Sequence, residues 1–339
     1  MRSVFASAPG KIMLCGEYAV LAGAPAIVTA VDCRARVVLE EVQGPEHVLL
    51  APGMANDSVR FLREASGGYT WSAGRYRLVE SILDALPAMP VPALSIQLDT
   101  RTFRDPQTGR KLGLGSSAAL AMALAAALDA ILGAALDVYG VAASAHRSYQ
   151  RGSGSGADIA ASYAGGTIRF RRPDARQDLA PQIQPLPWPA GLEYRVLWSG
   201  RPVNTARKLR KLDGRKGMEH KSADALAASA KTVAHVWETS SADAVMDALR
   251  TFTADLRRFS DEQDIGIFAA GHEALVEAAA ALGLVYKPCG AGGGDIGMVF
   301  GTRSSAMNTF CDHATAAGFS RLNVSVAADG VSIEKRTDA

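Results

Sequence analysis

Cysteines are few in this sequence, and an excess of charge is missing. The four cysteines, Cys15, Cys33, Cys289 and Cys311, lie far apart, and no Cys-x-x-Cys or Cys/His spacing joins them. That pattern argues against zinc and redox motifs and predicts free thiols in a reducing compartment. The formal net charge of the 339 residues is only +2, so charge gives no reason to expect nucleic acid or a membrane surface as a partner.

Long apolar runs are also missing. The most apolar stretch, residues 118–132, is shorter than the roughly 20 residues that a transmembrane helix needs. The amino-terminal residues MRSVFASAPGK contain no apolar signal region, so we expect a cytoplasmic protein. With 48% apolar residues, the chain can bury a core for one large domain or two smaller ones.

The stretch KLGLGSSAALAMALAAALDAILG, residues 111–133, places glycines and serines directly before an apolar helix. Leucine recurs every four residues in that helix, alanine fills most other positions, and Asp129 is its only charged residue. A helix that is apolar on all sides is buried, so its amino end lies inside the protein or at the floor of a cleft. The first four N–H groups at that end need acceptors.

Two interpretations fit this stretch. Gly113 and Gly115 free the backbone to curl, so that the N–H groups form an anion nest for phosphate. The alternative is an ordinary helix that follows a glycine turn and is capped by Ser116 and Ser117. A glycine loop by itself does not decide between them.

The rest of the pattern predicts mixed helices and strands. Strands are expected at residues 26–42, 93–100, 165–170, 192–200 and 295–301. Helices are expected at residues 76–86, 118–132, 219–258 (two, divided near Ser240 and Ser241), 268–283 and 304–317. Residues 321–334 read as a hairpin with Asp-Gly at the turn. The elements lack the regular spacing of a doubly wound sheet, which favours an α+β fold with two lobes, residues 1–185 and 186–339.

Two further glycine-containing stretches frame the first. They are SAPGKIMLCGEYAVLAGAPAIVTAVD, residues 7–32, and KPCGAGGGDIGMVFG, residues 287–301. The run Gly290–Gly294 holds four glycines and one alanine, so its backbone can approach a ligand closely. Neither stretch is a Walker A loop, and neither has the glycine spacing of a Rossmann fingerprint.

Taken in chain order, the three stretches resemble the motifs of the GHMP kinase superfamily, which includes galactokinase, homoserine kinase, mevalonate kinase and phosphomevalonate kinase. PGK…GEYAV is similar to the first motif, GLGSSAA to the second and GAGGGD to the third. The resemblance implies a two-lobed α+β fold. Its amino-terminal lobe would resemble ribosomal protein S5 domain 2, and a ferredoxin-like carboxy-terminal lobe would carry the third motif.

The flanking residues resemble the phosphomevalonate kinase branch most. AHRSYQRGSGSGADIAASYAGG, residues 145–166, is similar to that branch, and so are GRKLGLGSSAA and WSGRPVNTARKL. The implied reaction is ATP-dependent phosphorylation of 5-phosphomevalonate to 5-diphosphomevalonate, with Mg²⁺ and with the protein as a monomer or homodimer. The alternatives are a mevalonate kinase or another small-molecule enzyme of the superfamily, and a non-catalytic sensor of ATP and a metabolite.

The resemblance also implies a set of site residues. Those expected to bind ATP are Gly113, Leu114, Gly115, Ser116, Ser117, Ala118, Gly290, Gly292 and Gly293. Those expected to bind the acceptor are Tyr18, Arg110, Lys111 and Ser155. Ser117 is expected to ligate Mg²⁺ through its hydroxyl, unless it is a plain helix cap.

Residue chemistry supports a catalytic trio. Phosphoryl transfer needs charge neutralisation and in-line positioning. Lys11, expected at the end of a short strand, can reach a phosphate, although lysine is more often a surface residue. Asp158, expected to enter a helix, can hold the proton of the attacking oxygen or can simply cap the helix. Glu17 can orient Lys11 or a metal-bound water, or it can pair with a buried lysine or backbone group.

Three other features have weaker interpretations. His146 is expected to be a structural histidine near the site rather than a base. Asp295 is expected to be a turn acceptor that stabilises the third glycine stretch. The basic run RKLRKLDGRKG, residues 207–217, is expected to be a solvated helix face or an attractor of an anionic substrate.

Overall fold

The strands of the described chain form two β-sheets, and helices pack against both. The computed structural model describes residues 2–53, 57–152, 154–172, 180–203, 208 and 221–337. The strands are β1 Arg2–Cys15, β2 Ala26–Glu41, β3 His47–Leu50, β4 Val59–Arg63, β5 Tyr69–Trp71, β6 Leu94–Asp99, β7 Thr167–Arg171, β8 Gln182–Leu186, β9 Glu193–Trp198, β10 Val285–Pro288, β11 Ile296–Gly301, β12 Ser320–Leu322 and β13 Ser332–Thr337. The helices are α1 Arg77–Asp84, α2 Ser116–Leu132, α3 Val138–Tyr149, α4 Ala157–Ala164, α5 Lys221–Thr239, α6 Ala242–Glu262, α7 His272–Ala281 and α8 Ser304–Ala316. The expected α+β class is confirmed.

The first sheet is built around two long antiparallel strands, β1 and β2. Its order is β13-β1-β2-β6-β3-β4-β5, and β7 pairs with both β2 and β8. The expectation that Lys11 ends a short strand is wrong, because β1 continues through it to Cys15. The register between β1 and β2 shifts between Pro9 and Gly10. Proline has no N–H for the ladder, and a bulge at that point accommodates the missing bond.

The second sheet has the antiparallel order β10-β11-β9-β12. Helices α5, α6 and α7 connect β9 to β10, and α8 connects β11 to β12. This is the β-α-β-β-α-β arrangement of ferredoxin-like folds, as expected for the carboxy-terminal lobe. The loop between β10 and β11 carries the third glycine stretch.

Helix α2 is the buried helix that the sequence predicts, and it begins two residues earlier than expected. Every residue from Ala118 to Leu128 is buried, and the helix packs against β1, β2 and α3. It ends at Gly133, which adopts the left-handed conformation with φ 60°. Burial on all sides explains why alanine, which needs little space, occupies so many of its positions.

The other helices follow the predicted pattern, with different bounds for α7. Ser241 separates α5 from α6, and its hydroxyl accepts a hydrogen bond from Ala244 N at 3.4 Å. Helix α7 begins only at His272, because Gly271 at its amino end has φ 90°. Within the described ranges, no helix is both long enough and apolar enough to cross a membrane.

The expected hairpin at residues 321–334 is wrong. Strand β12 pairs with β9 in the second sheet, whereas β13 pairs with β1 in the first. The connecting segment crosses between the sheets and is held by Arg34, which donates to the carbonyl oxygens of Asp329 at 3.1 Å and Gly330 at 2.6 Å. An Asp-Gly pair favours a turn only locally. Here the residues before it pair with β9, and the residues after it pair with β1.

The lobe boundary near residue 185 remains a prediction. Sheet membership changes between Leu186, at the end of β8, and Glu193, at the start of β9. Strand β13 nevertheless belongs to the first sheet, so the chain returns to it after completing the second.

A substitution at Gly330 can test how the chain returns to the first sheet as β13. A Cβ at Gly330 would overlap the carbonyl oxygen of Tyr163. We expect Gly330→Ala to lower the free energy of unfolding by about 1–3 kcal/mol, because overpacking against backbone is not easily relieved. Gly68→Ala is the matched control, since its Cβ would meet only ordinary contacts at 3.7 Å or more. Urea denaturation checks both variants, and equal stability of the two would contradict the close crossing.

Candidate active site

A cavity of about 260 Å³ lies at the amino end of α2, beside the loop between β10 and β11. All three glycine-containing stretches contribute to its wall, as does the start of α4. The residues singled out from the sequence that line it are Lys11, Glu17, Tyr18, Lys111, Gly113, Leu114, Gly115, Ser116, Ser117, Ser155, Asp158, Gly290 and Asp295. The fold therefore brings together residues that are far apart in the chain.

The amino end of α2 has no side-chain cap. Gly115 is the N-cap residue, with φ 82°, and Ser116 and Ser117 are already helical. Capping by these serines is therefore wrong, and the Ser117 hydroxyl lies 3.0 Å from His146 Nε2 instead. The preceding loop is held on β1 by a hydrogen bond from Lys11 N to Leu114 O at 2.8 Å. Ala118 N donates to Gly115 O at 3.1 Å, whereas the N–H groups of Ser116 and Ser117 have no partner among the described residues. Two donors at the helix end are thus left for a ligand, which is the requirement of an anion nest.

Lys11 extends over this loop. A Cβ added to Gly115 would lie 3.1 Å from Lys11 Cγ, and a Cβ added to Gly290 would lie 3.9 Å from Lys11 Nζ. The lysine therefore spans from the second glycine stretch to the third. Across the described ranges, it forms no salt bridge, so its charge is free to face a ligand.

Glu17 pairs with Lys287 rather than with Lys11. Lys287 Nζ donates to Glu17 Oε1, and both side chains are almost fully buried. Burial works to lower the pKa of Lys287, but the neighbouring Cys289 and Glu17 raise it, and the net pKa lies above the ordinary value. The interpretation of Glu17 as partner of a buried lysine is thus the one that the structure shows. Lys287 was not found from the sequence, although a lysine within the apolar run LVYKP was a signal.

The second oxygen of Glu17 has no partner. Glu17 Oε2 is buried and makes no hydrogen bond in the described part of the chain, although the residue lines the cavity. Oε1 also accepts a long hydrogen bond from Gly290 N at 3.4 Å. The carboxylate therefore keeps one free acceptor beside the third glycine stretch.

Tyr18 secures the same loop. Its hydroxyl donates to Ala291 O at 2.8 Å, and its backbone is left-handed with φ 60°. Burial raises the pKa of Tyr18 well above its ordinary value, so the hydroxyl stays protonated and remains a donor. The ring lines the cavity, while the hydroxyl already has a partner.

Asp158 stands in the first turn of α4 and faces the cavity. Its Oδ1 accepts a hydrogen bond from Ile159 N at 3.0 Å, and its Oδ2 lies 3.8 Å from His146 Nδ1. The carboxylate therefore stabilises its helix and also presents an oxygen near the cavity. Ser155 lines the cavity as well, and its hydroxyl accepts from Ala157 N at 3.3 Å.

Asp295 differs from its expected role as a turn acceptor within the glycine stretch. Its Oδ1 accepts a hydrogen bond from Val203 N at 3.1 Å, and burial raises its pKa. A Cβ at Gly113 would lie only 2.5 Å from Asp295 Cβ. Asp295 thus packs the third stretch against the second, and Gly113 is required by this close approach.

Gly292, Gly293 and Ala118 are not among the cavity-lining residues of the described chain. Gly293 N donates to Ile267 O at 2.5 Å, and a Cβ at Gly292 would overlap Ile267. These two glycines allow the loop to pack against the segment before α7. Ala118 is buried in α2.

The two basic residues expected to bind the acceptor differ in position. Lys111 lines the cavity, whereas Arg110 is absent from the described lining and donates to Gly200 O at 3.0 Å. In the basic run, Lys208 donates to the carbonyl oxygens of Gly266, Ala291 and Gly292 at 2.7–3.2 Å. Arg207, Arg210, Lys211, Arg215 and Lys216 lie outside the described residues.

A second and larger cavity, of about 870 Å³, adjoins the first and shares Ser116, Ser117 and Lys111 with it. It combines an apolar floor with arginines at its rim, and the sequence analysis did not predict it. The floor includes Leu78, Val79, Leu98, Phe103 and Leu120, and the arginines are Arg75, Arg77, Arg104 and Arg151. The first turn of α2 therefore lies at the junction of two cavities.

The buried ion pair can be tested by stability. We expect Lys287→Met to lower the free energy of unfolding by about 3–5 kcal/mol, because Glu17 would remain buried without its cation. The double variant Glu17→Gln/Lys287→Met should recover most of this loss, since no charge then remains. Lys231→Met, at an exposed lysine, serves as control and should change stability by less than about 0.5 kcal/mol. Denaturation at pH 7 measures all three, and a double variant less stable than the single one would contradict the argument.

Known proteins resemble this chain over most of its length. Residues 77–166 match the GHMP kinases N terminal domain. A phosphomevalonate kinase of Streptomyces sp. (strain CL190) is 30% identical over 338 residues, with 88% of this chain and 89% of that protein covered. A mevalonate kinase of Methanothermobacter thermautotrophicus is 36% identical over 165 residues, with 48% of each chain covered.

The fold has solved counterparts. The structure of Streptococcus pneumoniae phosphomevalonate kinase in complex with phosphomevalonate and AMPPNP superposes with a TM-score of 0.78 at 17% identity, with 95% of this chain and 99% of that chain covered. The expected two-lobed fold is thereby confirmed. With this likeness, and with a relative that matches 88% of the chain, added to three motifs that meet at one cavity, the chain belongs to the GHMP kinases, a family of phosphotransferases.

Proposed function

We propose that this enzyme transfers the γ-phosphoryl group of ATP to 5-phosphomevalonate, giving 5-diphosphomevalonate and ADP. The observation that carries the proposal is the cavity at the uncapped end of α2, which Lys11, Lys111 and Asp158 face together. The full-length likeness to a phosphomevalonate kinase supports the acceptor.

The amino end of α2 is the proposed site of the ATP phosphates. Its free N–H groups and the positive end of the helix dipole favour an anion. The larger cavity next to it is the proposed site of the nucleoside. Its leucine and phenylalanine floor suits an apolar base face, and planar guanidinium groups can stack on a base.

The residues present fit Mg²⁺. This ion takes oxygen ligands and is usually held by one or two carboxylates together with substrate phosphates. Ser117 and Asp158 supply oxygens to the cavity wall, and the buried Glu17 Oε2 beside them has no partner among the described residues. When bound, Mg²⁺ would neutralise charge on the phosphates, with Ser117 and Asp158 as the residues nearest the helix end.

Lys11 and Asp158 are the proposed catalytic residues. Lys11 reaches across the loop that would hold the phosphates, so its ammonium group can stabilise negative charge on the group in transfer. Asp158 can accept the proton of the attacking oxygen or hold that oxygen by a hydrogen bond.

The positive charges on the cavity wall favour an acceptor that has two anionic groups. Phosphomevalonate carries a carboxylate and a phosphate, whereas mevalonate carries only the carboxylate. In the described part of the chain, neither Lys11 nor Lys111 forms a salt bridge, although the Asp295 carboxylate lies near enough to interact with both. Two cations therefore remain on the cavity wall. A mevalonate kinase is the second candidate, because a relative of that activity matches about half of the chain. A non-catalytic sensor is disfavoured, because it has no need of Lys11 and Asp158 together.

ATP binding can be tested at the two ends of α2. Gly115 and Gly133 are both left-handed, but a Cβ at Gly115 meets Lys11 whereas a Cβ at Gly133 meets open space. We expect Gly115→Ala to weaken ATP binding about tenfold or more, roughly 1.4 kcal/mol. Gly133→Ala carries similar backbone strain and should leave ATP affinity unchanged. Calorimetry measures both, and equal affinities would show that the amino end of α2 does not hold the phosphates.

The acceptor can be tested by release of ADP. Phosphomevalonate should be turned over and mevalonate largely ignored. Lys111→Ala should raise KM for phosphomevalonate by about 10- to 100-fold, the contribution of one charge-assisted hydrogen bond, and should raise KM for ATP by less, although Lys111 also borders the larger cavity. Arg110→Ala is the neighbouring control, because its side chain is bound to Gly200 O. Equal turnover of mevalonate by the unmodified enzyme would refute the proposed acceptor.

A further inference from the structure

We propose that His146 is a positioning residue that lies between the Ser117 hydroxyl and the Asp158 carboxylate, directs the hydroxyl through a hydrogen bond and attracts the carboxylate. The inference rests on the proposed function, because it takes Ser117 as the residue at the phosphates and Asp158 as the residue at the acceptor.

Helix α3 places His146 between the two. This helix packs against both α2 and α4, and His146 is only 2% exposed. Its Nε2 lies 3.0 Å from Ser117 Oγ, and its Nδ1 lies 3.8 Å from Asp158 Oδ2. The ring thus spans from the residue at the start of α2 to the residue at the start of α4.

His146 has no direct access to a ligand. It is absent from the described lining of both cavities, although Ser117 lines both and Asp158 lines the smaller one. A histidine that cannot touch the substrate is not a general base. Its influence must therefore pass through Ser117 and Asp158.

The hydrogen bonds determine which ring nitrogen accepts. Gln150 Nε2 lies 3.4 Å from His146 Nε2, and an amide NH₂ group can only donate. With the Gln150 amide in this orientation, His146 Nε2 is an acceptor, and the neutral ring that fits these contacts carries its proton on Nδ1, facing Asp158. The Ser117 hydroxyl then donates to Nε2.

This arrangement leaves both partners ready for a ligand. With its hydrogen directed to His146, Ser117 Oγ presents lone pairs to the cavity, as a cation requires. The Nδ1–H group faces Asp158 Oδ2 beyond direct hydrogen-bond distance, so it attracts that oxygen without occupying it. Supporting residues of this kind typically change metal affinity or activity by about 10- to 100-fold.

Two substitutions separate the two contacts. Asn at position 146 places an amide N–H near the position of Nδ1 and removes the acceptor for Ser117. Gln places an amide oxygen near the position of Nε2 and removes the donor that faces Asp158. We expect His146→Asn to reduce, by about tenfold or more, the gain in ATP affinity that Mg²⁺ produces. We expect His146→Gln to keep that gain and to lower kcat by about 10- to 100-fold with KM nearly unchanged.

Calorimetry of ATP binding with and without Mg²⁺, in the absence of acceptor, measures the first effect independently of turnover. His313→Asn and His313→Gln, at an exposed histidine of α8, are the matched controls and should change neither quantity. In the background of Ser117→Ala, His146→Asn should have no further effect on the Mg²⁺-dependent affinity, because the contact is already lost.

The outcomes are distinct. Equal effects of His146→Asn and His146→Gln on both quantities, or additive effects of Ser117→Ala and His146→Asn, would overturn the proposal and leave His146 as a core residue. Failure of the unmodified enzyme to use phosphomevalonate would instead refute the proposed acceptor, and the ATP-binding measurements would still decide the link between Ser117 and His146.

Discussion

The amino end of the buried helix α2, which opens on two cavities and has no side-chain cap in the described part of the chain, is the constraint on which the rest of the site depends. A helix that is apolar on every side can only lie inside the protein, and its first N–H groups then need acceptors that the neighbouring serines do not supply. The left-handed Gly115 turns the chain into the helix, and the bond from Lys11 N to Leu114 O holds the loop on β1. The proposed phosphate site is the consequence of leaving these donors free.

A second requirement is that the loops of the two sheets keep fixed positions around that helix end. Three contacts achieve this: the buried pair of Glu17 and Lys287, the hydrogen bond from Tyr18 to Ala291, and the packing of Asp295 on Gly113. Buried ion pairs contribute little net stability, because desolvation offsets attraction. The pair of Glu17 and Lys287 joins the segment after β1 to strand β10.

Much of the fold could be predicted from local pattern. The apolar periodicity of α2, the serines between α5 and α6, and the strand-favouring residues of β2, β6 and β9 each reflect short-range preferences that the structure confirms. The hairpin expected at residues 321–334 failed because strand pairing is decided by partners elsewhere in the chain. The site was likewise predicted only in part. The three glycine stretches do meet, yet Arg110, Gly292 and Gly293 are used for packing or backbone contacts rather than for lining the cavity.

The sequence by itself determined that a buried helix would begin at a glycine loop, because composition and spacing decide burial and backbone freedom locally. It also determined the family, because three motifs in a fixed order are a property of the chain alone. Only the tertiary structure decided which carboxylate meets which lysine, as Glu17 shows by pairing with Lys287, 270 residues away. It likewise decided that His146 lies between Ser117 and Asp158. Contacts between distant residues depend on how whole helices and sheets pack, and no local pattern of residues carries that information.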